Sequence, residues 1–223
     1  MTISVIIPTL NEESVIEPLL LQLAREAPFE ILIADGGSTD RTVQLAAPHA
    51  AVLSCPPGRG PQLNHAARAA RGEVLLFLHA DISLAPSSLA AIQQALADPS
   101  IAGGNFDILY EGNDAAARIF SFINRHRYRF GIFYGDSGFF CRRRVFHEIG
   151  GFRDIPILED YDFGRRLWKH GRFLTLPRPI RVSARRWRKA GLFPTLWAWF
   201  WIQTLYLAGV SPQRLARLYR NVR

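Results

Sequence analysis

Glu73-Val74-Leu75-Leu76-Phe77-Leu78-His79-Ala80-Asp81 is an apolar run that ends in an imidazole and a carboxylate two residues apart. A continuous apolar run of this length reads as a strand buried on both faces. Side chains at i and i+2 of an extended segment share a face. His79 and Asp81 are therefore expected to look together into the crevice at the carboxyl end of a parallel sheet, where open α/β folds take their ligands. A carboxylate there needs a cation or strong donors beside it. The plainer reading of Asp81 is a strand-end Asp that caps the next turn.

The same unit recurs on the N-terminal side of this strand. Residues 3–8 read as a first strand, followed by a helix with Val15, Ile16, Leu19, Leu20 and Leu23 at helical spacing. Ser14 and Glu17 are placed to form a capping box, and Pro18 falls in the tolerant first turn. Residues 30–34 form a second strand that ends in Asp35-Gly36-Gly37-Ser38-Thr39-Asp40. Two glycines there let the backbone approach a ligand closely, and Ser, Thr or Asp can cap the next helix. Residues 51–54 make a third strand, and 56–61 an irregular loop before a short helix at about 62–70. Beyond Asp81, Pro86-Ser87-Ser88 opens a helix to about residue 97. This alternation predicts an α/β fold with a mostly parallel sheet and helices on both faces.

No GxGxxG follows the first strand, and no GxxxxGK[ST] occurs; Gly58-Arg59-Gly60 is a lone GxG before Pro61. A nucleotide bound here would be held by side chains at strand ends. After residue 100 the pattern changes to an extended segment at 101–110 containing Gly103-Gly104, a helix at 115–127 and a strand at 135–142 with a polar lip. A short helix at 144–149 stops at Gly150-Gly151. Glu159, Asp160 and Asp162 then start a helix, where the macrodipole favours negative charge. For Asp162 that structural role is the preferred reading. A carboxylate at such a place can also be aimed into a cleft as a base.

A chain of 223 residues with 48% hydrophobic and 21% charged residues is one globular domain with room for an appendage, not a disordered segment. Cys55 and Cys141 give no disulfide framework, and the opening residues read as a strand rather than a signal peptide, so a cytoplasmic location is expected. Residues 1–141 carry 9 Lys/Arg against 14 Asp/Glu, whereas residues 142–223 carry 18 against 5. The basic half calls for phosphates, a membrane surface or nucleic acid. No helix-turn-helix, zinc spacing or RNA-binding aromatic motif is present, so no nucleic-acid partner is expected.

Five strings occur in order: SVIIPTLNEE (4–13), ILIADGGSTDRT (31–42), GRGPQLNHAARAARGEVLLFLHAD (58–81), DSGFFCRRRVFHEIGGF (136–152) and ILEDYDFGRRL (157–167). Together they resemble a family 2 glycosyltransferase of the GT-A fold over about residues 3–190. Within that family they are similar to a radical-SAM-associated subgroup linked to arsenosugar biosynthesis. The resemblance implies a GT-A domain at 1–190, a Rossmann-like nucleotide-diphospho-sugar transferase unit, and a C-terminal helical tail at 191–223. It implies a metal-dependent transfer, with Mn2+ or Mg2+, from a UDP- or GDP-linked sugar to a small-molecule or lipid-linked hydroxyl, with inversion. Thr9 and Glu12 would lie near the base and ribose, Asp35 would accept a hydrogen bond from the base, and Arg59 would sit by the base or the phosphates. Asp81 would be the last acid of the metal-binding DxD, and Glu159-Asp160 the ED pair, with Asp160 as catalytic base.

Two departures from the family pattern stand out. His79 replaces the first acid of DxD, and imidazole suits Mn2+ better than Mg2+; contact with a phosphate or a ribose hydroxyl is its other role. The QxxRW motif appears only as Ser183-Ala184-Arg185-Arg186-Trp187, so polymer synthesis is not expected. Arg186 and Trp187 are assigned to the diphosphate or the acceptor, or else to an ordinary surface. The rival functions are a non-catalytic nucleotide-sugar-binding or membrane-docking module and a nucleotidyltransferase. The acidic loop Thr9-Leu10-Asn11-Glu12-Glu13 disfavours the last.

Residues 192–210 carry no charge and include Trp197, Trp199 and Trp201. Arg185, Arg186, Arg188 and Lys189 precede them, and Arg214, Arg217, Arg220 and Arg223 follow. The length just reaches that of a bilayer span, but Pro194, Gln203 and interface-seeking tryptophans argue against a simple crossing. The remaining expectations are a helix packed on the sheet domain, a homodimer contact, or an in-plane helix on anionic lipid.

Overall fold

The structure, a computed structural model, describes residues 1–110, 115–128, 131–182 and 192–220. Strands β1 (Ile3–Thr9), β2 (Glu30–Asp35), β3 (Ala51–Ser54) and β4 (Val74–Phe77) alternate with helices α1 (Ile16–Glu26), α2 (Thr42–Ala46) and α3 (Arg59–Ala69). These strands run parallel in the order β3-β2-β1-β4. Successive β4 residues feed opposite layers: Leu76 joins Val5, Ile7, Leu20 and Leu23, while Leu75 and Phe77 join Ile6, Leu32, Phe139 and Phe163. Burial on both faces is what the unbroken apolar run requires.

The second half of the chain supplies β5 (Ile82–Ser83), α4 (Ser88–Ala95), β6 (Ile101–Tyr110), α5 (Ala115–Arg127), β7 (Phe139–Arg142), α6 (Arg143–Glu148), α7 (Glu159–His170) and β8 (Arg172–Val182). β7 lies antiparallel between β4 and β6, and the sheet closes in the order β3-β2-β1-β4-β7-β6-β8-β5. β6 and β8 are parallel, and β5 is an antiparallel edge strand. The glycine pair of β6 has a packing cause: a Cβ on Gly104 would collide with the Leu174 carbonyl of β8. Because β7 is reversed, its amino end meets the carboxyl end of β4, in the register Phe77 opposite Phe139. The short 3-10 turn Gly135–Ser137 that leads into β7 is thereby set beside His79 and Asp160.

Four local expectations need correction. β4 ends at Phe77, and Ala80 and Asp81 form a turn into β5, so strand alternation does not align His79 with Asp81. The capping box at Ser14 and Glu17 is not made; Val15 is the N-cap residue without a side-chain bond, and the Glu12 carbonyl receives the Val15 and Ile16 N–H groups at 3.0 Å each. α3 starts at Arg59 rather than near 62, because Pro61 falls in its first turn, where a missing N–H costs nothing. The expected strand at 135–142 is shortened to β7 by the turn before it.

Two helices end the described chain, α8 (Leu192–Leu207) and α9 (Pro212–Arg220). α8 lays Trp199 against the core and stacks Tyr206 edge-on to Tyr161 of α7, with ring centres 5.8 Å apart. Among the described residues no helix is long and apolar enough to cross a membrane. Ser183 through Gly191, including Arg186 and Trp187 and the expected boundary at 190, lie outside the described residues.

Candidate active site

α3 organises the rim of the sheet. The Gln62 side chain donates from Nε2 to the Thr9 carbonyl (2.9 Å) and the Ala34 carbonyl (2.7 Å), at the ends of β1 and β2. Buried and satisfied, Gln62 fixes the helix so that Arg59, one turn earlier, reaches over the carboxyl end of β4. Arg59 Nη1 donates to Glu159 Oε1 at 3.0 Å. Asp160 and Asp81 act on the same guanidinium: burial disfavours its charge, but Glu159, Asp160 and Asp81 together outweigh that and hold its pKa above the ordinary value. One cation therefore faces three carboxylates drawn from two distant parts of the sequence.

The three acids are not equivalent. The Glu159 side chain is 5% exposed against 39% for Arg59. Burial and then the neighbouring Asp160 charge push the Glu159 pKa up, while Arg59 pulls it down; the net shift is upward. Asp160 is half-buried. Its Oδ2 accepts the Gly135 N–H at 2.7 Å and its Oδ1 accepts its own helix N–H, that of Tyr161, at 2.7 Å. Asp81 is half-buried at the turn between β4 and β5. Asp162, one step around the helix from this group, is bound to Arg166 at 2.7 Å and Arg153 at 3.2 Å, which is the structural role expected for it.

His79 closes the other side. A Cβ at Gly135 would lie 2.8 Å from His79 Nε2 and 3.2 Å from Asp160 Oδ2. Gly135 is thus the spacer between imidazole and acid, and its N–H aims the acid. A small cavity is lined here by Arg59, His79, Gly135 and Asp160 over a floor of Phe77, Phe139 and Phe152. We expect Gly135→Ala to lower kcat about 10²-fold, the scale of a misplacement of about 1 Å at a reacting group, with an unchanged melting temperature. Native turnover in that variant would remove Gly135 from the site.

Thr9, Glu12 and Asp35 form a second group, joined to the first through Gln62. Thr9 and Asp35 are register partners on β1 and β2, and Thr9 Oγ1 donates to Asp35 Oδ1 at 3.0 Å. The Ser38 hydroxyl (2.5 Å) and the Ser38 and Gly37 N–H groups (2.9 and 3.0 Å) also donate to this carboxylate. Burial raises the Asp35 pKa, but the donors from Ser38, Thr9 and Gly37 together outweigh it and hold it below the usual carboxylate range. Four donors match the lone-pair capacity of a carboxylate, so Asp35 shapes the 35–38 loop in this state. The Glu12 N–H donates to Thr42 Oγ1 at 2.7 Å, and its carbonyl starts α1.

Sequence reasoning missed Gly135, Gln62 and Tyr134. Gly135 opens the turn into the DSGFF string, which was its only signal. Gln62 looks like any polar helix residue until its strand-end carbonyls are seen. The Tyr134 hydroxyl donates to Gln203 Oε1 of α8 at 2.6 Å, and the Tyr134 ring receives the Arg127 guanidinium 4.6 Å from its centre. Arg127 is itself paired with Asp136 at 2.9 Å. Among the described residues no three Asp, Glu, His or Cys side chains gather to hold a metal ion by themselves.

Residues 4–150 match the model of glycosyl transferase family 2, and the chain belongs to that family. It is 30% identical over 193 residues to a PGL/p-HBAD biosynthesis glycosyltransferase of Mycobacterium bovis (strain BCG / Pasteur 1173P2), across 77% of this chain and 72% of the relative. The fold is shared with solved glycosyltransferases. The mannosyltransferase PcManGT of Pyrobaculum calidifontis, in complex with GDP-Man and Mn2+, superposes with a TM-score of 0.66 at 20% identity, over 99% of this chain and 69% of that one. S. aureus TarS 1-349 in complex with UDP-GlcNAc gives 0.64 at 20% identity, over 83% of this chain and 59% of that fragment. The chain thus spans about three fifths of the TarS fragment's length.

Proposed function

We propose that the chain transfers a sugar from a nucleoside-diphosphate sugar to an acceptor hydroxyl with inversion, using Asp160 as general base. The observation that carries this reading is the convergence of Arg59, Asp81, Glu159, Asp160 and His79 at the β4 rim. The acceptor oxygen attacks the anomeric carbon as its proton passes to Asp160, and the bond from that carbon to the diphosphate oxygen breaks. Arg59 faces the negative charge that grows on the leaving group, and its pairing with Glu159 holds it in place beforehand. A single base on one side of the sugar, with the leaving group on the other, gives inversion in one displacement.

The donor set fits a cation that shares its ligands with substrate. One half-buried carboxylate, Asp81, stands at the rim with no cluster of three ligand side chains among the described residues, the mode in which Mg2+ or Mn2+ is held by one acid, phosphate oxygens and water. Bound there, Mn2+ or Mg2+ would supply positive charge to the diphosphate. Thr9, Glu12 and Asp35 line the strand ends on the base-and-ribose side of the donor. Arg186 keeps its proposed place near the diphosphate or acceptor on the sequence resemblance alone. So does the narrower likeness to the radical-SAM-associated, arsenosugar-linked subgroup. Membership of a glycosyltransferase family stands against both the nucleotidyltransferase and the non-catalytic module. We place the enzyme in the cytoplasm.

Ligand-induced stabilisation tests the donor class. At about 100 times Kd, a nucleotide stabilises the chain by about 2.7 kcal/mol, a rise of about 5–10 °C in Tm for a domain of this size. That rise is expected with UDP or GDP in the presence of Mn2+, and to a smaller extent with Mg2+. Absence of a shift with either nucleotide and either ion would overturn the donor assignment.

A further inference from the structure

We propose that the outer face of α8 docks on an anionic lipid bilayer and holds the active site at the membrane–water boundary. α8 is apolar all round, which in a helix calls for cover on both sides. Its inner side has cover: Trp199 meets the core, Gln203 bonds Tyr134, and Tyr206 meets Tyr161. Its outer side has none among the described residues. Trp197, Phe200 and Trp201 are 64%, 60% and 44% exposed, and Leu207, two turns on, is 58% exposed. The first three pack on one another with ring centres 5.7–6.4 Å apart, Trp197 stacked on Phe200 and Trp201 edge-on to both, a pre-assembled aromatic patch at i, i+3 and i+4.

Charge selects the occupant. From Leu192 to the last residue there is no Asp, Glu or Lys, and there are four arginines: Arg214, Arg217, Arg220 and Arg223. Arg214 and Arg217 are exposed on α9, whose Leu215 is buried. Exposed indoles on one helix and exposed guanidinium groups on the next fit the headgroup zone of an anionic leaflet. A 16-residue helix is about 24 Å long, short of a bilayer core, so it lies in the plane of the membrane.

The inner side ties this surface to the chemistry. Gln203 bonds Tyr134, the neighbour of the Gly135 N–H that aims Asp160. Tyr206 touches Tyr161, the next residue after Asp160. The docking helix is therefore braced against both backbone supports of the base.

The test is sedimentation of the full chain with vesicles of phosphatidylcholine alone and of phosphatidylcholine with one third phosphatidylglycerol. Binding to the anionic vesicles is expected at least tenfold above the neutral ones, with a blue shift of tryptophan emission. The variant carrying Trp197→Ala, Phe200→Ala and Trp201→Ala, and a second carrying Arg214→Glu and Arg217→Glu, should each lose that binding at least tenfold while keeping the nucleotide-induced rise in Tm. That last readout keeps the donor assignment separate from the docking assignment. Equal binding by the aromatic variant would overturn the proposal, as would absence of anionic binding by the native chain. A dimer in solution that the aromatic variant splits, with no vesicle binding, would assign the patch to a second copy instead.

Discussion

Asp160→Asn is expected to bind the nucleotide as the native chain does and to lose turnover by about 10²–10⁴-fold, the range of a lost general base. The amide fits the same space and can still accept the Gly135 N–H through its oxygen, now held at 2.7 Å by the carboxylate. The geometry of the turn before β7 therefore survives, while the Oδ1 position gives up both proton acceptance and the bond from the Tyr161 N–H. Loss should appear in kcat with little change in donor affinity, because the base meets the acceptor and not the nucleotide. The measurement is release of nucleoside diphosphate with acceptor present, beside the Tm shift with nucleotide and Mn2+. An asparagine variant that turns over at the native rate would end the assignment of Asp160.

Arg59→Ala carries the second large effect, and its partner makes it diagnostic. Removing the guanidinium would deprive the leaving diphosphate of the positive charge proposed for it at the β4 rim, at about 10²–10³-fold in kcat/KM on the scale of a lost electrostatic stabiliser. It also strands Glu159, whose pKa burial and Asp160 already push upward, with Arg59 and a backbone N–H opposing. Glu159 then takes up a proton at higher pH than in the native chain. Its folded pKa lies above the unfolded one, so stability is retained at low pH and lost as pH rises through the folded value. Breaking a buried pair costs about 3–5 kcal/mol. Because Arg59 keeps 39% of its side chain exposed, about 2 kcal/mol is the expected loss at neutral pH. Adding Glu159→Gln removes the stranded charge. The double variant should regain the urea midpoint but not kcat/KM. Recovery of activity together with stability would show that Arg59 serves only to neutralise Glu159.

The first half of the fold was legible because β1, β2 and β4 are apolar runs buried on both sides and punctuated by glycine, proline and polar turns. Direction was not legible. A short apolar strand such as Phe139-Phe140-Cys141-Arg142 reads the same whether it pairs parallel or antiparallel, and only the sheet reveals that β7 is reversed. β8 was hidden by Pro177 and Pro179, which argue against a strand. The structure accommodates them at a register shift opposite Phe106 and Ile108, where the ladder is already broken. At the site, the residue types came from the resemblance, and their meeting came from the fold. Alternation along β4 was the wrong reason for His79 and Asp81 to lie at one rim. The turn at Ala80 and Asp81 and the reversed β7 bring the surrounding groups there instead. Gly135 and Gln62 act through a backbone N–H and two backbone carbonyls, which no pattern of side-chain types displays.

The reversed strand also partitions the molecule's inheritance. Thr9, Glu12, Asp35, Arg59 and Asp81, proposed for the donor, fall in one uninterrupted third of the sequence, whereas the proposed base, its glycine brace and the tyrosine link to α8 lie downstream. In the sheet the two portions meet at β4 against β7, and the Arg59–Glu159 pair and the Asn64–Phe152 hydrogen bonds cross the same boundary. A change at Arg59 on one side is therefore felt at Glu159 on the other, so the two portions are constrained to vary together.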